Sequence, residues 1–283
     1  MRDRSGREFD YADADFARVK AIIYRTAGIN LGDSKKQLVY SRLARRLRAL
    51  GLGNFDEYLA YLEHHNSEQQ EFINALTTNL TAFFRESHHF SILSDFAKNK
   101  RNSPDKLRVW CAASSTGEEP YSIAMTLIEA FGSYMPPVEI IASDIDSAVL
   151  QFAEQGVYSI DRLDALTLEQ KKNFFLRGKG KNSGKAKVID KLRQLVSFKQ
   201  INLLEQDWQL KPGFDVIFCR NVMIYFDKPT QIKLLERMVR LLKPDGIYIA
   251  GHSESFSNAT HLVRLIGKTT YQRVDKVSSG ERT

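Results

Sequence analysis

The sequence predicts two units: an all-α segment at residues 1–101 and an α/β segment at 102–283, the latter carrying a small antiparallel β-subdomain at about 157–199. Three observations predict this. Up to Lys98, apolar residues recur at helical spacing and no strand pattern appears. After the turn-rich Asn102-Ser103-Pro104, short continuous apolar runs alternate with helical patterns, the mark of a parallel sheet buried between two layers of helices. Between Thr167 and Lys199 that alternation breaks around a Gly- and Lys-rich loop.

Phe16, Val19, Ile22 and Ile23 mark the first helix, and Gly28 stops it. Ser34 is placed to cap a second helix that runs to Leu50, with Gly51 just past its end. Asn54 with Glu57 resembles a capping box for a third. Ser67 with Gln70 opens a fourth, and a fifth runs from Ser87 to Lys98. In the α/β segment, strands are expected at Leu107–Cys111, Val138–Ser143, Asp215–Cys219 and Gly246–Ala250. Helices are expected at Glu118–Phe131, Asp146–Glu154 and Thr230–Leu242. Thr167-x-x-Gln170 opens a further helical stretch, followed by Lys185–Ile189 and Gln194–Lys199 as strands of the insertion.

Composition narrows the function classes. A hydrophobic fraction of 43% and a charged fraction of 27% are those of an ordinary globular protein. No apolar run reaches membrane-spanning length, and the charged Met1-Arg2-Asp3-Arg4-Ser5 lacks the apolar core of a signal peptide, so a cytoplasmic protein without membrane insertion is expected. Cys111 and Cys219 are too few and wrongly spaced for a zinc site; buried, reduced thiols and no metal are expected. The net charge of +7 is concentrated at residues 171–200, which points to an acidic partner or to a solvated loop. A second basic set, Lys35, Lys36, Arg42, Arg45, Arg46 and Arg48, lies on the second helix. It reads equally as a solvated face and as a grip for an acidic surface.

In open α/β sheets, ligands bind at the carboxyl ends of the strands. The first strand runs into Cys111-Ala112-Ala113-Ser114-Ser115-Thr116-Gly117-Glu118-Glu119, small residues followed by two acids at a helix start. Those acids disfavour a phosphate and suit hydroxyls or positive charge. The second strand ends at Ser143-Asp144, where a carboxylate can accept both hydroxyls of a ribose. The third ends at Arg220-Asn221, just before Val222-Met223-Ile224-Tyr225. Singly, each acid is also explained by the helix dipole. Together they describe a nucleoside site without a phosphate site, and S-adenosylmethionine has that chemistry.

Six stretches carry a close resemblance to the CheR family of chemotaxis receptor methyltransferases, from about Phe16 to Tyr271. They are Thr77-Thr78-Asn79-Leu80-Thr81-Ala82-Phe83-Phe84-Arg85, Ser115 to Ser122, Ala142-Ser143-Asp144-Ile145-Asp146, Ile201-Asn202-Leu203-Leu204, Phe218 to Phe226, and Gly251-His252-Ser253-Glu254. The resemblance implies a helical N-terminal domain, a Rossmann-like methyltransferase domain and an inserted β-subdomain. It implies methylation of glutamate side chains on the cytoplasmic helices of chemoreceptors, with S-adenosylhomocysteine as product. It places cofactor contacts on Asn79, Thr81, Arg85, Glu119, Asp144, Asn202, Leu203, Arg220 and Asn221. It turns the basic second helix toward receptor contact, and in some members the β-subdomain binds a peptide at the receptor C-terminus. A monomer is expected.

A glutamate acceptor is ionised at neutral pH, so no general base is needed; the site must align acceptor, methyl and sulfur. Arg85 is expected to orient the acceptor carboxylate, with Tyr225 donating a hydrogen bond beside it. Three other readings are weaker. A nucleic-acid methyltransferase would use the basic patch, but base amino-methylation usually shows an Asn/Asp-Pro-Pro-Tyr/Phe motif where this chain has Arg220-Asn221-Val222-Met223. A hydrolase is suggested by Gly251-His252-Ser253-Glu254-Ser255, which lacks the last glycine of a nucleophile elbow and the acid-then-histidine order after it, since His261 precedes Asp275. A non-catalytic binding module fits poorly with Arg85, Asp144 and Tyr225 being present together.

Overall fold

The structure, a computed structural model, describes residues 7–274; Met1 to Ser5 and Asp275, used in the reading above, lie outside the described residues. The helical part begins with α1 (Asp13–Ala27), which ends in a left-handed Gly28 (φ 70°) whose N–H returns to the Tyr24 carbonyl. Helix α2 (Lys36–Leu50) is entered through a 3-10 turn at Asp33–Lys35. That turn leads directly into the helix, so Ser34 makes no cap. Helix α3 (Phe55–His64) has the expected reciprocal cap: Glu57 N–H donates to Asn54 Oδ1 at 2.9 Å, and Asn54 Nδ2 donates to the Glu57 carboxylate at 2.9 Å. Helix α4 (Asn66–Leu76) starts one residue before Ser67, which therefore sits inside its first turn.

These four helices bury Val19, Ile23, Leu43, Leu47, Tyr58 and Phe72 in one apolar cluster. Helix α5 (His88–Asn99) packs elsewhere: its Phe90, Leu93 and Ala97 join the core of the sheet. The cations of α2 are largely engaged at home. Arg46 donates to buried Glu68 through Nε (3.0 Å) and Nη2 (2.6 Å), and Tyr58 OH donates to the same carboxylate at 3.0 Å. Arg42 donates to the carbonyls of Ala75 and Thr77 at the end of α4, while Lys36 and Arg48 pair with Asp13 and Glu8.

The second part runs β1 (Leu107–Cys111), α6 (Glu118–Phe131), β2 (Val138–Asp144), α7 (Ser147–Gln155) and β3 (Val157–Ser159). It continues with α8 (Leu168–Phe174), β4 (Phe175–Arg177), β5 (Lys185–Val188), α9 (Asp190–Arg193) and β6 (Val196–Gln200). It closes with β7 (Phe214–Cys219), α10 (Lys228–Leu241), β8 (Leu242–Ala250), β9 (Val263–Gly267) and β10 (Thr270–Arg273). Seven strands form one sheet in the order β6-β2-β1-β7-β8-β10-β9. The first five are parallel; β10 and β9 add an antiparallel edge. Side chains alternate across it: Val109, Cys111, Val216 and Phe218 face α5 and α6, whereas Trp110, Ile217 and Cys219 face α10. Both cysteines are free and buried. Among the described residues, no helix is long and apolar enough to cross a membrane.

A Rossmann-like layout with a small antiparallel sheet is as expected; of the strands expected in that sheet, Lys185–Ile189 joins it as β5, between β3 and β4. The other does not. Gln194–Lys199 was expected in the insertion, but β6 pairs in parallel with β2, Ile141 opposite Ser197, and becomes an edge of the main sheet. An isolated period-2 run does not encode which partner it will find. The β9–β10 hairpin, whose outward face is polar or exposed, was not expected at all.

Candidate active site

The strand order reverses between β1 and β7, and a cleft of about 240 Å³ opens at their carboxyl ends, where helix α1, the 76–85 segment and the 220–226 turn meet. All ten sequence-predicted site residues line it. Asn79, Thr81 and Arg85 come from the segment ahead of the sheet, Glu119 from the first turn of α6 and Asp144 from the end of β2. Asn202 and Leu203 follow β6, and Arg220, Asn221 and Tyr225 follow β7. Among the described residues, no histidine and no cysteine lines the cleft.

Asp144 sits at the end of β2, and each of its oxygens accepts one main-chain N–H: Ser115 at 2.8 Å on Oδ2, Asp146 at 3.0 Å on Oδ1. Each oxygen keeps a lone pair for another donor. Burial raises its carboxyl to about 6, against the pull of those N–H groups. Ser115 (φ 47°) is in a left-handed conformation, at a cost of roughly 1–2 kcal/mol for a residue with a Cβ. Its N–H bond to Asp144 offsets part of that cost. Two residues further, Gly117 (φ 97°) passes so close to β3 and α7 that a Cβ would meet the Tyr158 hydroxyl at 2.7 Å and the Ala153 Cβ at 2.9 Å. Of the two acids that open α6, only Glu119 reaches the cleft. Glu118 turns away and pairs with Arg162 at 2.8 Å.

Arg220 is the deepest cation, its side chain wholly buried. It donates to Glu119 through Nη1 at 2.6 Å and to the Arg85 carbonyl through Nη2, and Nη2 lies 3.1 Å from Glu86. Cys111 donates its thiol to the other Glu119 oxygen at 3.2 Å. Burial pushes the Glu119 carboxyl up while Arg220 pulls it back. Burial would also raise Glu86, but the charge of Arg220 beside it, with hydrogen bonds from Asn221 and the His252 N–H, outweighs this and holds that carboxyl below its ordinary value. The turn at Asn221 (φ 58°) is braced by Glu254, which accepts main-chain N–H groups from Asn221, Met223 and Gly251. Gly251-His252-Ser253-Glu254 is thus a brace, and Ser253 is exposed.

The helical part closes one side. Asn202 Nδ2 donates to the Thr26 carbonyl at 2.7 Å, Asn30 N–H donates to the Tyr225 carbonyl at 2.9 Å, and Gly28 lies against the ring of Phe226. Asp146 caps α7 through one oxygen and takes Thr77 (2.7 Å) and Asn79 (2.8 Å) on the other. Arg85 is half-buried and spends one donor on the Leu80 carbonyl at 2.8 Å, leaving four of its five for a ligand. Glu86, Asp146 and Glu254 were not predicted as site residues. Asp146 was legible only as a helix cap, and Glu86 only as the acid after Arg85.

The donor set fits a nucleoside with hydroxyls and a cationic tail. Two carboxylates lie at the strand ends, apolar Ala112, Ile145 and Leu203 line the walls, and Arg220 is already paired on both sides. Comparison with known proteins agrees. Residues 14–77 match the family described as CheR methyltransferase, all-alpha domain, and residues 79–272 match CheR methyltransferase, SAM binding domain. The chain is 60% identical over 265 residues to chemotaxis protein methyltransferase 2 of Pseudomonas aeruginosa, covering 94% of this chain and 95% of that one. It is 51% identical over 262 residues to the chemotaxis protein methyltransferase of Salmonella typhimurium, covering 92% and 90%. To that of Escherichia coli it is 50% identical over 262 residues, covering 92% and 91%. The chain belongs to the CheR methyltransferase family and is an S-adenosylmethionine-dependent methyltransferase of chemotaxis.

Proposed function

We propose that the enzyme esterifies glutamate side chains on the cytoplasmic helices of chemoreceptors, acting in the cytoplasm as a monomer. The observation that carries this reading is one cleft holding both an acidic strand-end half, Glu119 and Asp144, and a carboxylate-binding half, Arg85 and Tyr225. That no histidine or cysteine among the described residues lines the cleft is consistent with it, because a carboxylate acceptor is already ionised. Bound S-adenosylmethionine supplies a methyl group on a sulfonium. Asp144 and Glu119 hold it, with Asn79, Thr81, Asn202, Leu203 and Asn221 completing the walls. Arg85 orients the acceptor with its planar fork, Tyr225 donates one hydrogen bond, and exposed Leu38 and Leu80 at the cleft help to exclude water. Positioning of this kind supplies roughly 7–11 kcal/mol of the barrier.

In this reading α1 to α4 form the receptor-facing domain and α5 works with the methyltransferase domain. Lys35 and exposed Arg45 contribute to receptor contact. The small sheet, rich in lysine and with Leu176 exposed on its edge strand β4, takes the receptor C-terminal peptide as an added strand. The deciding experiment is transfer of radiolabelled methyl from S-adenosylmethionine to receptor-containing membranes, followed by mild alkali. Label released as methanol is the expected result; alkali-stable label would overturn the ester reading.

Asp144 adds a pH dependence. Ribose hydroxyls donating to the carboxylate favour its charged form, so its pKa falls on binding. Affinity is then complete above about pH 6 and weakens as pH drops below it, by at most tenfold per unit. Calorimetry with S-adenosylhomocysteine should show this together with proton release. A Kd unchanged down to about pH 5 would remove the carboxylate from ligand binding.

A further inference from the structure

We propose that Glu86 is a positioning residue for methyl transfer, fixing Arg85 relative to the cofactor half of the cleft through Arg220. The inference rests on the role given to Arg85 above. Arg85 sits between two left-handed residues, Phe84 (φ 52°) and Glu86 (φ 57°), so its direction depends on what holds this turn. Phe84 N–H donates to Ser122 Oγ at 3.0 Å, which fixes the near end. The far end is held by charge. Arg220 Nη2 reaches both the Arg85 carbonyl and the Glu86 carboxylate. The other Glu86 oxygen accepts from Asn221 Nδ2 at 3.4 Å and from His252 N–H at 3.3 Å.

Glu86 therefore joins three segments that are distant in sequence: the turn bearing Arg85, the end of β7, and the loop after β8. Its side chain is 10% exposed and does not line the cleft, so it touches neither substrate nor cofactor. The same guanidinium that it anchors also holds Glu119. Acceptor and cofactor halves are thus kept in register by one buried chain, Glu86–Arg220–Glu119, with the Cys111 thiol at its end. Other charged or titratable groups facing Glu86 are His89, whose Nδ1 lies 3.5 Å away, and His88, stacked on His252. Burial pushes the His89 imidazole down to about 4, and among the described residues Arg220 is the one fixed cation in contact with Glu86.

The test is a double-mutant cycle on the full chain with receptor-containing membranes, reading kcat, KM and S-adenosylhomocysteine Kd. Glu86→Gln is expected to lower kcat about 10- to 100-fold while Kd moves less than about threefold. In an Arg85→Ala background the same change should cost less than about threefold, because the two act as one unit. Glu86→Asp, which keeps the charge, should recover part of the loss. Undiminished kcat in Glu86→Gln, or a loss that persists in full without the Arg85 side chain, overturns the proposal. If Glu86→Gln does not fold, the same cycle with Glu86→Asp decides by the same criterion. Wild-type turnover by Arg85→Ala would instead defeat the role of Arg85 itself.

Discussion

Replacing Arg85 by alanine is expected to lower kcat on the order of 10²–10³-fold while leaving S-adenosylhomocysteine affinity within a few-fold. The magnitude follows from what the side chain has to offer. It is half-buried, it spends one donor on the Leu80 carbonyl, and its remaining donors are presented to the cleft. A carboxylate acceptor repelled by Glu119 and Asp144 needs a compensating cation, and Arg85 is the lining guanidinium that has one free to give. Arg220 cannot take over, because both sides of its own head are committed to Glu119 and Glu86. Lysine at position 85 should restore charge but not the planar fork, and so recover only part of the rate. Single-turnover transfer separates this from slow product release. A variant with normal single-turnover rate would sink the assignment.

Arg46→Glu should destabilise the protein by about 3–5 kcal/mol, whereas Arg45→Glu, one residue away, should change stability by less than about 0.5 kcal/mol. Glu68 is 3% exposed and accepts three donors, two from Arg46 and one from Tyr58. Reversing Arg46 leaves that carboxylate without its cation, places a like charge against it, and adds Glu71, 3.4 Å from Arg46, to the repulsion. Arg45 points into solvent with no ion pair among the described residues, so its reversal should raise the receptor KM and do little else. Denaturant unfolding of the two variants, beside their receptor KM values, checks both halves. A stable Arg46→Glu protein would contradict the assignment. Reversing Arg42, Arg45 and Arg46 together as a docking test would mostly measure unfolding, because Arg42 and Arg46 hold α4.

That contrast shows what was legible in the chain and what was not. The strand ends carrying Glu119, Asp144 and Arg220-Asn221 were readable because each follows a local apolar run, and the sheet rule places ligands there. The basic stripe of α2 was readable as charge. Its division into Arg42 and Arg46, which hold α4, and Arg45, which has no partner among the described residues, depends on contacts with residues about 22 to 35 positions away. The same limit hid the partner of β6 and the role of Glu86, whose partners Arg220 and His252 lie 134 and 166 positions away. Local period and capping chemistry give elements; pairing and long-range ion networks are decided by the assembled fold.

The bonds that seat α1 on the 202 and 225 loops have a thermodynamic consequence. Asn202 and Tyr225 belong at once to the cleft wall and to the seat of the helical part. A ligand that favours the seated arrangement must therefore strengthen the grip of any partner that favours it too, and by linkage each raises the other's affinity by the same factor. A receptor bound through the helical part would then slow the escape of cofactor, and a cofactor-loaded enzyme would dwell longer on its receptor. Occupancy of the enzyme would set how many sites it visits per encounter.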